Sequence, residues 1–330
     1  MKNYKDLFNE TKFQDALKAK KVCLFLGSGV AFNLGMPDWR GLATKIVDFC
    51  MEKQIVTRSQ KFSLLDSNSP LKIISICIKQ IELRNKQDLF NDLLKSIFYE
   101  EPSKNYISSY IYKNLSDLYK SKSVLILQTN YDVMLEKFQT KEEGFNRNYY
   151  IPYKDPMIDH QNVLNSLIYL HGRFSGDEKD SMKSSYEDLI LNKRQYNNVY
   201  VLEKTEEYRK QKKFLQYLLK EFYIIFLGYS LSDTEILQLI ANKPKTESYK
   251  QIAVIADNCD AKFLENEFNE KYLEEASNGK IKTYTYETDK DGIEKGFEKF
   301  VKDLTNYILI DSKKEPSLIK YTDPKEVNFD

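Results

Sequence analysis

Cysteine, histidine, proline and glycine are all scarce in this chain of 330 residues, and each scarcity excludes something. The four cysteines are Cys23, Cys50, Cys77 and Cys259. No two are spaced as Cys-x-x-Cys, which argues against a structural zinc site and against a redox dithiol. Scattered, unpaired cysteines fit a reducing compartment, so a cytoplasmic location is expected. There are only two histidines, His160 and His171, so imidazole chemistry has few places to sit. With 11 glycines and 8 prolines there is no low-complexity tract, and no repeat is visible. No apolar run approaches the length of a membrane span. The N-terminal MKNYKDLFNE has no hydrophobic core of a leader, so no secretory signal is expected. Charge of one sign is also missing, because the formal net charge is +1. A balance that close to zero gives no electrostatic reason to expect nucleic acid or an anionic membrane as partner. What is present is a 42% hydrophobic content, enough for one large core.

The apolar residues fall into short continuous runs separated by helical periodicity. Val22–Leu26, Ser123–Leu127, Leu167–Leu170, Phe222–Leu227, Ile252–Ala256 and Lys282–Tyr286 read as buried strands. Helical spacing is read over residues 4–20, from about Trp39 to Met51, through much of 70–120, briefly from Asp132, over 204–221, and from about Gly292 to Ile308. Strands alternating with helices imply an α/β fold, a doubly wound and mainly parallel sheet of about six strands. A helical lobe over about 52–120 and a second, charged helical insert over about 173–215 interrupt it. One domain over 1–310 is expected, followed by a charged, Pro-containing tail, 311–330.

Ligands bind such sheets outside the carboxyl ends of the strands. Five Gly or polar clusters stand there: Gly27-Ser28-Gly29, Thr129-Asn130, His171-Gly172, Gly228-Tyr229-Ser230 and Asp257-Asn258. Any one of them alone is an ordinary strand-to-helix turn, and Asn130 or Asp132 alone is a helix cap. Their common edge is what points to a site. Glycines after the first strand would let backbone N–H groups approach a pyrophosphate. The usual dinucleotide fingerprint is broken, because Phe32 stands where its third Gly belongs. That argues against an ordinary NAD-dependent dehydrogenase. His160, in Asp159-His160-Gln161, is expected in a polar surface loop.

Residues 27–40 read G-S-G-V-A-F-N-L-G-M-P-D-W-R. This resembles the sirtuin signature G-A-G-x-S-x-x-x-G-I-P-D-F-R in its Gly, Pro, Asp and Arg. Thr129-Asn130-Tyr131-Asp132 is similar to the sirtuin Q-N-I-D, His171-Gly172 to its His-Gly, and Gly228-Tyr229-Ser230 to its G-T-S. The four motifs keep the family's order over roughly residues 20–260. The resemblance implies a Rossmann-like sirtuin fold that binds NAD+. It implies that Gly27, Ser28 and Gly29 cradle the pyrophosphate, closed from the other side by Gly228 and Ser230. Pro37, Asp38, Trp39 and Arg40 would form the cofactor loop, with Thr129 beside it. Asp132 would bond the nicotinamide carboxamide, Asn130 would orient ribose or water, and His171 would be the general base. Asp257 or Asn258 would meet the adenine ribose.

Departures from the family bear on the reaction. Protein-deacylating sirtuins carry four zinc cysteines after the His-Gly, and this chain has no cysteine between Cys77 and Cys259. Water then replaces an acyl-peptide as the expected nucleophile, and no metal is expected. The pattern is similar to zinc-less bacterial sirtuin-like effectors of anti-phage defence, which hydrolyse NAD+ to nicotinamide and ADP-ribose. Such a chain is expected to be an NAD+ hydrolase of abortive infection, its activity controlled by a regulatory partner protein or by a homo-oligomer or filament. A protein deacylase, an ADP-ribosyltransferase, and a module that senses NAD or ADP-ribose without turnover are the alternatives.

Overall fold

A computed structural model describes residues 2–139, 149–157, 160–177, 184–229, 231, 233–242, 251–257, 271–287 and 293–312. Eight strands form one sheet: β1 (Lys2–Asn3), β2 (Val22–Leu26), β3 (Leu125–Gln128), β4 (Tyr149–Tyr150), β5 (Leu167–Tyr169), β6 (Tyr223–Leu227), β7 (Gln251–Asp257) and β8 (Ile281–Glu287). Their order is β1-β8-β7-β6-β2-β3-β5-β4, and every pair is parallel. All five residues of β2 and of β6 are buried, as expected for strands covered on both faces. The six runs read from the sequence are all strands. The two added at the edges, β1 and β4, are two residues long, too short to show a period.

The chain leaves β2 for β3 and β5 on one side, then returns to β6 on the other. The strand order therefore reverses between β2 and β6, which is where such sheets open a crevice. Register decides what meets there. Leu26 pairs with Leu227 on one side and with Gln128 on the other, and Gln128 pairs with Tyr169. Four strands end level, so Gly27, Thr129, Leu170 and Gly228 leave the sheet side by side.

Helix α1 (Thr11–Lys18) precedes β2, and the connection from β2 to β3 carries α2 (Ser28–Ala31), α3 (Trp39–Glu52), α4 (Arg58–Leu65), α5 (Pro70–Leu83), α6 (Gln87–Lys95), α7 (Glu101–Asn105) and α8 (Tyr110–Ser121). Starts are set by side chains: Thr57 and Gln60 make a capping box on α4, and Ser69 caps α5 ahead of Pro70. Ile73, Ile74, Cys77, Ile78 and Ile81 make the buried stripe of α5, which lies against α3. Later come α9 (Met134–Gln139), α10 (His160–Leu164), α11 (Lys193–Tyr200), α12 (Glu206–Glu221), α13 (Thr234–Ala241) and α14 (Ile293–Ser312). The last buries Phe300, Leu304 and Ile308 and packs on α8.

Three expectations need correcting. His160 opens a short helix, not a loop, and its side chain lies outside the described residues. Residues 4–20 are a 3-10 turn, Tyr4–Asn9, followed by α1, because Asn3 caps the first and Glu10 breaks from helical geometry between them. The final helix runs to Ser312, two residues into the expected tail, and 313–330 lie outside the described residues.

Candidate active site

The loops after β2 and β6 are locked together through glycine. The Gly27 N–H donates to the Leu227 carbonyl at 2.9 Å, and the Gly29 N–H donates to the Gly228 carbonyl at 2.8 Å. A Cβ on Gly27 would sit 2.5 Å from the Gly228 oxygen. Gly228 itself has φ +57, and a Cβ there would meet the Val30 nitrogen at 2.6 Å. These positions need glycine for backbone contact before any ligand is considered. The β3 loop joins the same knot. The Thr129 N–H donates to Leu26 O at 3.0 Å, and Asn130 Nδ2 donates to Gly27 O at 3.0 Å.

Above this knot lies a cleft of about 620 Å³, counting its open mouth. Ser28, Pro37, Asp38, Trp39, Thr129, Asn130 and His171, drawn from three separated sequence motifs, all line it. Ala31, Met36, Leu42, Phe98, Tyr131, Tyr229 and Asp233 complete its described wall. Asp38 caps α3 through Oδ1, 2.7 Å from the Gly41 N–H, and so fixes the Pro37–Trp39 corner. Trp39 meets Tyr131 edge-on, with ring centroids 6.4 Å apart.

Other expected site residues lie elsewhere. Arg40 turns away and donates to the Leu65 and Ser67 carbonyls at the end of α4, where the helix dipole favours a cation. Asp132 is not among the residues lining the cleft and is fully buried. Its Oδ1 accepts from the Met134 N–H at 3.0 Å, and the Tyr112 hydroxyl donates to its Oδ2 at 3.3 Å. Burial pushes its carboxyl up to about 6, against the pull of those two donors. Asp257 ends β7, but its side chain, like Ser230 and Asn258, lies outside the described residues.

His171 is the least satisfied polar residue of the wall. It is 3% exposed, and neither Nδ1 nor Nε2 has a hydrogen-bond partner among the described residues. Buried polar atoms are normally paired, so two orphans on one ring need an explanation. Burial lowers its pKa below the ordinary imidazole value, with the Asp233 charge working in the other direction. A neutral ring at neutral pH is the form that accepts a proton.

The ring is held by what surrounds it rather than by hydrogen bonds to it. Tyr200 packs edge-on at 5.8 Å. The His171 carbonyl accepts from the Ile190 N–H at 2.8 Å. Gly172 follows with φ +96, where a Cβ would lie 2.5 Å from Asp188 O. Arg173 then makes a bidentate pair with Glu136, both contacts 2.7 Å and both side chains 4% exposed, and Tyr169 donates to the same carboxylate at 2.5 Å. That network ties the His171 loop to α9, and hence to the Asn130 loop before it.

Tyr131, Tyr229 and Asp233 were not expected in the wall. Tyr131 and Tyr229 sit inside the motifs, but a tyrosine between polar residues reads as packing. Asp233 stands just before α13 and reads as its cap.

Residues 124–278 match the family model described as a SIR2-like domain. The match covers a little under half of the chain. Its SIR2-like segment takes in Asn130, Asp132, His171, Gly228 and Asp233, and stops short of Gly27–Arg40. It supports similarity to the sirtuin superfamily and an NAD-related activity in general, on a Rossmann-like fold. Among curated proteins none matches the chain. Among the described residues no group of three His, Cys, Asp or Glu side chains is arranged to hold a metal ion, and no helix is long and apolar enough to cross a membrane.

Proposed function

We propose that this protein is an NAD glycohydrolase that cleaves NAD+ to nicotinamide and ADP-ribose. The observation that carries the reading is His171, buried in the cleft that Asn130 also lines, with both ring nitrogens unpaired among the described residues. The C1′–N bond to nicotinamide breaks with its electron pair leaving on the neutral base. The ribose passes through an oxocarbenium-like state, as in glycoside cleavage. Water forms the new C1′–O bond and gives up its proton to His171. Asn130, whose Nδ2 is held by Gly27 O, keeps Oδ1 for that water or a ribose hydroxyl. Ser28 and the Gly27–Gly29 turn border the pyrophosphate, and Trp39 and Tyr131 offer ring faces for nicotinamide.

Water is favoured over an acyl-peptide because the sequence has no cysteines from which the deacylase ribbon is built. The same departure supports a role as an abortive-infection effector in bacterial anti-phage defence, its activity controlled by a regulatory partner or by self-assembly. The test is NAD+ consumption by purified protein, with both products quantified, beside Asn130→Ala and His171→Ala. Release of nicotinamide and ADP-ribose in equal amounts by wild type, lost in both variants, supports the reading. NAD+ bound but still unconverted when the genomic-neighbour protein is added overturns it in favour of a sensing module.

A further inference from the structure

Asp233 occupies a helix N-cap without capping. It is the residue before α13, yet its carboxylate accepts no N–H from the helix. Aspartate at this position ordinarily does, and the bond stabilises the helix. The side chain turns instead to the cleft, where the Tyr229 hydroxyl donates to its Oδ2. It is half-buried and lines the same cleft as the imidazole of His171, which is unpaired among the described residues.

Among the described residues, the other titratable groups around that imidazole leave Asp233 as its counter-charge. Tyr131, Tyr200 and Tyr229 are held far above their usual pKa by burial and stay neutral. Arg173, two residues on, is neutralised by Glu136. Asp38 lies at the exposed mouth, bonded to the start of α3. Resting on the glycohydrolase reading, we propose that Asp233 is the anionic partner of His171: it stabilises the imidazolium formed when the ring takes the proton from attacking water. A buried base without a counter-charge would have to hold that proton in a dry wall, which burial opposes. Asp233 acts through His171, and so is a positioning residue. Nothing in the SIR2-like match assigns it a role.

The chain has two histidines, so NMR titration of the imidazole protons isolates His171 once a His160→Gln background is used. In Asp233→Asn the His171 titration should move to lower pH. The acid limb of kcat/KM for NAD+ should move with it, because that limb reports the free enzyme's base. The fall in kcat should be on the order of 10²-fold, the scale of general-base effects, with KM little changed. Asp233→Glu should restore part of both readouts. Asn is itself a good N-cap, and Asp233→Ser offers a second capping residue if the first variant misfolds. A folded Asp233→Asn protein whose His171 titration is unmoved overturns the pairing, whatever its turnover. A moved titration in a protein that never releases nicotinamide supports the pairing and overturns the glycohydrolase reading alone.

Discussion

Replacing Asp132 by Asn should make the protein more stable at neutral pH. The carboxyl is fully buried and its pKa is pushed from 3.8 up to about 6, with burial as the largest cause and the Glu136 charge a smaller one. A carboxyl raised in this way leaves stability fully present below its unfolded pKa and lost as pH rises through the folded one. The loss therefore develops between about pH 4 and pH 6 and is complete by neutrality. At 1.36 kcal/mol per pKa unit, two units of upward shift correspond to ~3 kcal/mol of instability above about pH 7. Asn removes the charge but keeps an oxygen for the Met134 N–H and gains an amide for the Tyr112 hydroxyl. Urea unfolding at about pH 7.5 should show Asp132→Asn more stable by ~1–3 kcal/mol, with the gap narrowing to roughly half near pH 5. A variant no more stable than wild type at neutral pH, or a gap that does not close on acidification, would refute the argument. The retained charge would then need a partner other than those seen.

Other perturbations test the same framework. His171→Phe should raise stability by about 1–3 kcal/mol while abolishing turnover, since it removes two unpaired buried nitrogens from a packed wall; a thermal melt beside a nicotinamide assay reads both, and a lower melting temperature contradicts it. Gly228→Ala should cost ~2–4 kcal/mol, because φ +57 and the 2.6 Å approach to the Val30 nitrogen leave no room for Cβ; denaturant midpoints measure it. Arg173→Met should cost ~3–5 kcal/mol by leaving Glu136 buried and uncompensated, and adding Glu136→Leu should recover much of the loss. A double-mutant cycle with no coupling would dismiss the network as a link between the His171 and Asn130 loops.

Much of the site was legible before any coordinates. Ser28, Thr129, Asn130 and His171 stand at or just beyond strand ends in the sequence, and with Pro37–Trp39 from the following loop they all line one cleft. They do so because a parallel sheet sends every carboxyl end to the same edge. Arg40 and Asp132 carry equally recognisable motif letters, yet one reaches back to α4 and the other is fully buried and not among the residues lining the cleft. Motif spelling gives the backbone position, while the side chain's direction follows from neighbours far away in sequence, here the Leu65 carbonyl and Tyr112.

The local sequence by itself determined the six longer strands, the longer helices, and that the sheet is mainly parallel. Continuous apolar runs, caps and alternating elements are short-range properties that any reader of the chain can score. Tertiary structure alone decided that Leu26, Gln128, Tyr169 and Leu227 end level, that three glycines interlock across the β2–β6 reversal, and that Asp233 and His171 line one cleft. Register and long-range packing depend on contacts between residues up to two hundred positions apart, and no local period encodes them.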